Sequence, residues 1–298
     1  MRRLLSQVPV YALTAFCGMG LLLLADLLYL LIRDANFAVH KSGITLISGV
    51  LLVHVHNGDD NILSGSFSTR AGEYRCEKLP DESSICLNTN SDVRYTFNQN
   101  VRKIELVSGE ASFVVRKERR PFDVMSGGLL VHDLSTGFDV YKRRNSTRVT
   151  VIAGRIQIIG PLDPELRRRF EATGSSNAWP GAPEFHELQQ VEFHEETGAL
   201  HRRPDLSEQQ LSQLLAWQRG QIDLDNSTLD AALEEFSRYQ PATRFRYSDR
   251  SLSEIHLSGV FESTNLDDFL AALEWGFDIS HTTTRSGADT LITLSRQR

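Results

Sequence analysis

The sequence predicts an α+β protein with a single N-terminal transmembrane helix, a mostly antiparallel β domain and a small strand–helix–strand domain at the C-terminus. Three observations support this class. They are one long apolar run at residues 10–32, short segments of alternating apolar and polar residues between 42 and 190, and amphipathic helical stripes after residue 207. We therefore predict a short cytoplasmic tail at 1–9, a transmembrane helix at 10–32, a β domain at 42–200 and a C-terminal domain at 207–298.

The apolar run is long enough to cross a lipid bilayer. At about 1.5 Å of rise per residue, a helix over residues 10–32 spans a hydrocarbon core about 30 Å thick. A cleaved signal peptide has a shorter apolar core and a small-residue cleavage site, which the following segment lacks, so we interpret the run as an uncleaved anchor. Its one carboxylate, Asp26, costs about 2.5–3.5 kcal/mol in the bilayer, and is either tolerated there or contacts another membrane helix.

Charged residues predict the orientation of the chain and argue against one class of partner. Arg2 and Arg3 precede the apolar run, whereas Arg33 on its far side is followed by Asp34. By the positive-inside rule the N-terminus faces the cytoplasm, and the bulk of the chain lies outside in an oxidising space. The net charge of −6 argues against nucleic-acid binding, since proteins of that class show a basic surplus.

Two of the three cysteines lie outside the apolar run and flank a predicted turn. Cys76 and Cys86 are placed almost symmetrically around residues 80–83, so the two strands of one hairpin could bring them together. A disulfide is plausible outside the cytoplasm, and the register of the two strands decides whether it forms.

The segments between residues 42 and 190 alternate with the β period and are separated by clusters of Gly, Asn, Asp and Ser. Such a succession of short strands predicts a stacked antiparallel sheet or a sandwich. Residues 104–114 and 149–159 resemble each other. Each segment carries a glycine, Gly109 or Gly154, at which we expect the strand to turn or bulge.

After residue 207 the pattern becomes that of a small α+β domain. Ser207 and Gln210 form a capping-box pattern, and Gly220 is expected to end the helix that follows. Two similar strand–helix–strand units come next, with helices over 228–239 and 265–275, the second closed by Gly276. The apolar stripes of these helices are Leu229, Ala232, Leu233 and Phe236 in the first, and Leu266, Phe269, Leu270 and Leu273 in the second.

The sequence shows no pattern of catalytic, cofactor-binding or metal-ligating residues. His54 and His56 share one face of a predicted strand, but no cysteine or carboxylate at ligand spacing accompanies them. The segment around His194 lacks the second histidine of HExxH, and no GxSxG motif occurs. We therefore predict a binding protein that is not an enzyme and has no cofactor or metal.

Residues 79–124 resemble the core of the FecR family, which comprises single-pass membrane regulators of the iron-dicitrate sensor type. The resemblance continues through the segment LSTGFDV at 134–140. The end of the chain resembles the family's C-terminal segment and is similar to the secretin and TonB short N-terminal fold. The residues that match these motifs are Asp81, Ser83, Asn88, Gly109, Glu110, Phe113, Pro121, Phe122, Thr136, Phe138, Trp217, Gly220, Arg238 and Tyr239.

The resemblance implies a signalling function in iron-transport regulation. Members of the family sit in the inner membrane with their bulk in the periplasm. They relay the state of a TonB-dependent outer-membrane receptor, through its signalling domain, to an extracytoplasmic-function sigma factor. Residues 1–9 are too few to bury the roughly 800 Å² per partner of a standard interface. We therefore expect the sigma factor to be met through a separate polypeptide, or the true start to lie upstream. The alternative function is that of a non-enzymatic envelope scaffold or binding protein.

Two positions depart from the family pattern. Glu82 stands where the family usually has glycine after the turn aspartate, so the turn either avoids a positive φ there or tolerates strain. Ser135 replaces the glycine that precedes Thr136 in relatives thought to cleave themselves. We therefore do not expect self-cleavage.

Overall fold

The computed structural model of the chain describes residues 13–14, 44–47, 50–53, 62–134, 137–162, 164–165, 168, 179 and 181–297. The chain divides into two compact units, Met1–Asp60 and Asn61–Arg298. The first unit contains an antiparallel sheet of order β1–β3–β2, formed by β1 (Leu13–Thr14), β2 (Ile44–Ile47) and β3 (Val50–Val53).

The predicted transmembrane helix at 10–32 falls outside the described residues, apart from the two residues of β1. Among the helices that the structure describes, none combines the length and the apolar character needed to cross a membrane. His54 and His56 likewise lie outside the described residues.

The second unit begins with a 13-stranded sheet that confirms the sheet-dominated α+β class. Within it, the β8–β9 pair is parallel and the other described pairs are antiparallel. Its strands are β4 (Leu63–Ser68), β5 (Arg75–Lys78), β6 (Ser84–Leu87), β7 (Asp92–Phe97), β8 (Arg102–Val114), β9 (Phe122–Ser126), β10 (Leu129–Asp133), β11 (Gly137–Lys142), β12 (Ser146–Ala153), β13 (Arg155–Ile159), β14 (Glu184–His186), β15 (Gln190–His194) and β16 (Ala199–Arg202).

Strand β8 connects two layers of this sheet. Its first half pairs with β7 and β9, and its second half pairs with β6 and β11. The change occurs at Gly109, where φ is 80° and a Cβ atom would lie 2.2 Å from the Oγ atom of Ser91. Gly154, with φ of 75°, makes the corresponding corner between β12 and β13. Both glycines therefore turn the chain as predicted, and at Gly109 no larger residue fits.

The two layers enclose one hydrophobic core. A row of buried aromatic rings crosses it, from Phe97 to Phe122, Phe113 and Phe138, with successive ring centroids 6.2, 5.9 and 5.2 Å apart. Aromatic rings at these separations pack edge-to-face or offset and add to the free energy of burial. Three of the FecR-like motif residues, Phe113, Phe122 and Phe138, therefore have a packing role.

The turn at 80–83 is held by a buried ion pair. A carboxylate oxygen of Asp81 lies 2.6 Å from the Nη1 atom of Arg102, and the Ser83 hydroxyl donates to the same oxygen at 2.6 Å. Arg102 also donates to the backbone carbonyls of Arg116 and Arg120. In this turn Glu82 has φ of 67°, so of the two predicted alternatives the chain adopts a positive φ at Glu82 and tolerates the strain.

The C-terminal module, residues 207–297, begins with the predicted capping box between Ser207 and Gln210. Its helices are α1 (Glu208–Leu214), α2 (Leu229–Tyr239) and α3 (Leu266–Phe277). A 3₁₀ turn at Ala216–Arg219 ends at Gly220, with φ of 74°. The strands are β17 (Gln221–Thr228), β18 (Thr243–Tyr247), β19 (His256–Glu262), β20 (Ile279–Ser286) and β21 (Asp289–Arg296), in sheets of order β17–β19 and β18–β21–β20.

The two predicted apolar stripes meet in a second core. All eight stripe residues are buried, and the rings of Phe236 on α2 and Phe269 on α3 have centroids 4.5 Å apart. The prediction that Gly276 closes α3 is wrong. The helix continues to Phe277, whose side chain packs against the core, and Asp278 takes the left-handed conformation at φ of 55°.

Replacing Glu82 by glycine should stabilise the β module, because glycine adopts a positive φ without a steric penalty. We expect a gain of about 0.5–1 kcal/mol in the free energy of unfolding, measured by urea denaturation. The exposed pair between Glu82 and Arg116 is lost, but such pairs contribute little. Glu82→Ala is the control, because it loses the same pair and keeps a Cβ atom. Equal stability of the two variants would contradict the prediction.

Candidate functional site

Four of the motif residues, two from each module, meet in one buried cluster. Asn88 directly follows β6, and Glu110 follows the corner that Gly109 makes in β8. Arg238 and Tyr239 occupy the last turn of α2. We call Asn88, Glu110, Arg238 and Tyr239 the joint, because they connect the β module, residues 62–206, to the C-terminal module.

The side chains of the joint satisfy one another. One carboxylate oxygen of Glu110 accepts from Arg238 Nη2 at 2.5 Å and from Asn88 Nδ2 at 2.7 Å. The Asn88 side-chain oxygen in turn accepts from the Tyr239 hydroxyl at 2.9 Å. Thr89 donates to the backbone carbonyl of Arg238 at 3.3 Å, which adds a contact to the helix itself. Charged and directional hydrogen bonds of this kind fix one relative orientation of the two modules.

Further side chains surround the Arg238 guanidinium. The ring of Tyr141 on β11 lies beneath it, 4.1 Å from ring centroid to guanidinium carbon. Its Nη1 atom donates to Glu235 at 2.6 Å, one turn earlier on α2. Arg148 on β12 approaches the second oxygen of Glu110 at 3.5 Å. Glu110 is therefore flanked by two arginines, one from each module.

These charges determine the protonation state of Glu110. Burial alone would raise the pKa of this carboxyl, since its side chain is 1% exposed. The positive charges of Arg238 and Arg148, with hydrogen bonds from Arg238 and Asn88, outweigh burial and hold the pKa of Glu110 below its usual value. Glu110 is therefore an anion at neutral pH, and Arg238 of the C-terminal module supplies part of the positive charge that stabilises this anion.

A second carboxyl faces Glu110 from β11. Asp139 is fully buried, and within the described residues no N–H or O–H group donates to either of its carboxyl oxygens. Burial and the negative charge of Glu110 raise the pKa of Asp139 well above its ordinary value. The raised pKa favours the protonated form of Asp139, so the cluster avoids two adjacent buried anions.

The predicted cysteine pair braces one side of the joint. Cys76 and Cys86 lie opposite each other on β5 and β6 and are joined by a disulfide. The β4–β5 loop next to this bridge contacts the C-terminal module, since the ring of Tyr74 lies against Gly220. The Gly72 N–H also donates to the Thr89 hydroxyl at 2.8 Å. The disulfide therefore connects two segments that both contact the C-terminal module.

A cleft of about 830 Å³ opens beside the joint. Its walls are the loop at residues 70–73 of the β module, the end of α2 with Tyr239, the start of α3, and strands β18, β20 and β21. Because the walls come from both modules, the shape of the cleft depends on the orientation that the joint imposes.

Other motif residues belong to a second cluster and to the C-terminal module. Asp81, Ser83, Pro121 and Phe122 gather around Arg102, whose guanidinium lies over the Phe122 ring and whose backbone N–H donates to the Pro121 carbonyl. Trp217 is buried beside Gly220 in the C-terminal module. Thr136 lies outside the described residues. No group of three or more potential metal ligands occurs in the part of the chain that the structure describes.

The β-module residues that complete the site are not marked by any sequence motif. Asp139, Tyr141 and Arg148 occupy alternate strand positions whose neighbours face the core. That pattern is ordinarily typical of a solvent-facing side of a sheet. Arg238 of α2 covers part of this face, since its guanidinium lies over Tyr141 and pairs with Glu110.

The fold and the joint define a class of two-module proteins in which a β-rich domain carries a small α+β domain on a polar face. Residues 65–157 match the family model described as FecR protein, so the chain carries a FecR domain, as its motifs predicted. No curated protein matches the chain.

Two crystal structures from Parabacteroides distasonis ATCC 8503, each of a proposed anti-sigma factor, share the fold. For the first, the TM-score is 0.57 and the sequence identity is 18%, and the match covers 78% of this chain and 100% of the chain in that structure. For the second, the TM-score is 0.55 and the identity is 18%, and the match covers 79% of this chain and 100% of the chain in that structure. At this identity the likeness concerns the fold.

Removing the Arg238 side chain should loosen the joint. Arg238→Ala leaves the buried Glu110 carboxylate with one more distant arginine, and we expect a loss of about 3–5 kcal/mol from the free energy of unfolding. We also expect the two modules to unfold in separate calorimetric transitions, since the contacts between them are weakened.

The matched control is Arg244→Ala, which removes an exposed arginine of β18 in the same module. Exposed positions of this kind change stability by less than about 0.5 kcal/mol. A loss in Arg238→Ala no larger than in the control would show that the ion pair does not hold the modules together.

The pair of carboxyls at the joint should make stability depend on pH. A raised pKa in the folded state means that the contribution of Asp139 is complete below its unfolded pKa of about 3.9 and is lost as the pH rises towards the folded value. Asp139→Asn retains the shape and needs no proton. The melting temperature of this variant, relative to wild type, should therefore increase from pH 5 to pH 8. A difference that is constant with pH would show that Asp139 is ionised in the folded protein.

Proposed function

We propose that this protein regulates a sigma factor, and that it does so as a membrane-anchored relay. The FecR domain at 65–157 and the fold shared with two proposed anti-sigma factors support the regulatory role. The apolar run at 10–32 supports a membrane anchor, with the N-terminus in the cytoplasm and the two modules in the periplasm. The Cys76–Cys86 disulfide fits an oxidising compartment.

The observation that carries this proposal is the joint. A relay requires that a partner bound to one module alters the other. Arg238 supplies the charge that keeps Glu110 ionised inside the β module, although it belongs to a helix of the C-terminal module. Displacing α2 would break this pair and change the electrostatics of the β module. Buried contacts that are either made or broken are the usual basis of such switches.

In the finer form of the proposal, the C-terminal module meets the signalling domain of a TonB-dependent outer-membrane receptor, and the output reaches an extracytoplasmic-function sigma factor.

The proposal is tested by measuring transcripts in cells that lack the gene. We expect the deletion to change the transcripts of one sigma-factor regulon, including that of a TonB-dependent receptor. Complementation with the wild-type chain and with Arg244→Ala should restore the response. Complementation with Arg238→Ala, at equal protein level in the membrane fraction, should not. A deletion that leaves every sigma-factor regulon unchanged would refute the regulatory function.

A further inference from the structure

Helix α3 presents a tryptophan to solvent. Trp275, in the last turn of the helix, is 91% exposed, although the other side of the helix is buried in the core. Tryptophan is highly buried on average and contributes 150–250 Å² of area when covered, about the largest contact that one side chain makes. Residues of this type dominate the binding energy of protein interfaces.

The surroundings of Trp275 are acidic. Asp267 and Asp268 are exposed in the first turn of α3, Asp278 is exposed directly after the helix ends, and Glu274 is half-buried next to the tryptophan. The sequence of α3 contains no lysine or arginine. His281 of β20 contacts Glu274 at 2.8 Å. The outer face of α3 is therefore one apolar anchor within a negative field.

The charge pattern distinguishes between the classes of partner that cover such an anchor. Two copies of the chain paired symmetrically through α3 would bring like charges together, which disfavours association. Anionic membrane surfaces would repel the same carboxylates. A protein surface with basic side chains around an apolar slot complements both features, since it buries the indole and pairs the acidic residues.

We infer that the outer face of α3, centred on Trp275, is a docking surface for a partner protein that offers a basic rim and an apolar slot. The inference rests on the proposed function, in which this partner is the periplasmic signalling domain of a TonB-dependent receptor. Trp275 anchors the complex, and the carboxylates of Asp267 and its neighbours accelerate the encounter and make it sensitive to salt.

The test measures binding of the full chain to one probe, the purified signalling domain of the TonB-dependent receptor whose transcript changes when this gene is deleted. Trp275→Ala should weaken the affinity about tenfold to a hundredfold, mostly through faster dissociation, and Trp275→Phe should recover part of the loss. The matched control is Val260→Ala on β19, which truncates another exposed apolar residue of the same module and should bind as wild type.

A second pair of variants tests the charges. Asp267→Lys should slow association and reduce its dependence on salt, whereas Asp289→Lys, an exposed aspartate at the start of β21, should not. Circular dichroism checks that all variants are folded.

The outcomes separate this inference from the proposed function. If wild type binds and Trp275→Ala binds equally well, the α3 surface is refuted and the receptor relay stands. If wild type does not bind the signalling domain, the relay is refuted and the inference falls with it. A loss of self-association or of binding to anionic vesicles in Trp275→Ala, with receptor binding unchanged, would assign the surface to a second copy or to lipid and would also refute the inference.

Discussion

The ion pair between Glu110 and Arg238 is the interaction on which the arrangement of the two modules depends. Removing both charges from water is costly, and such a pair contributes less to stability than a well-packed apolar contact of the same size. The pair instead fixes the orientation of α2. The Glu110 carboxylate accepts from Arg238 and Asn88, and Asn88 accepts from Tyr239, so these hydrogen bonds form in only one position of α2 on the sheet. A smooth apolar interface would allow α2 to slide, and the geometry of the cleft beside it would vary.

Several features of the β module position Glu110 for its contact with α2. Gly109 lets β8 leave one layer and enter the other, and its missing side chain lets Ser91 approach the backbone, where the serine hydroxyl accepts from the Glu110 N–H at 2.9 Å. The Cys76–Cys86 bridge fixes the hairpin that ends in Asn88. Backbone conformation, a disulfide and hydrogen bonds within the β module therefore hold the acceptor groups of Glu110 and Asn88 in place independently of Arg238. This preorganisation limits the entropy that the joint has to overcome.

Much of the fold could be predicted from the sequence, because local pattern and tertiary packing agree there. The stripes on α2 and α3 are buried as predicted, and the capping box at Ser207 begins a helix. The end of α3 could not be predicted from Gly276, since the burial of Phe277 extends the helix. The sequence marks Arg238 and Tyr239 as motif residues but indicates no role for them. It does not mark Asp139 and Arg148, because a strand pattern alone does not distinguish a face covered by water from one covered by another module.

The second core connects the α3 surface to the joint. Phe269 on the buried side of α3 packs against Phe236, which lies on α2 half a turn before Arg238. A partner that shifts α3 must therefore either displace Phe236 or open a cavity, and close packing makes the first response the less costly one. Movement of α2 changes the distance between Arg238 and Glu110, and with it the contribution of the positive charge that lowers the pKa of Glu110. The coupling between the modules is thus steric between α3 and α2, where Phe269 packs against Phe236, and electrostatic between α2 and the β module, where Arg238 pairs with Glu110. It needs no catalytic group.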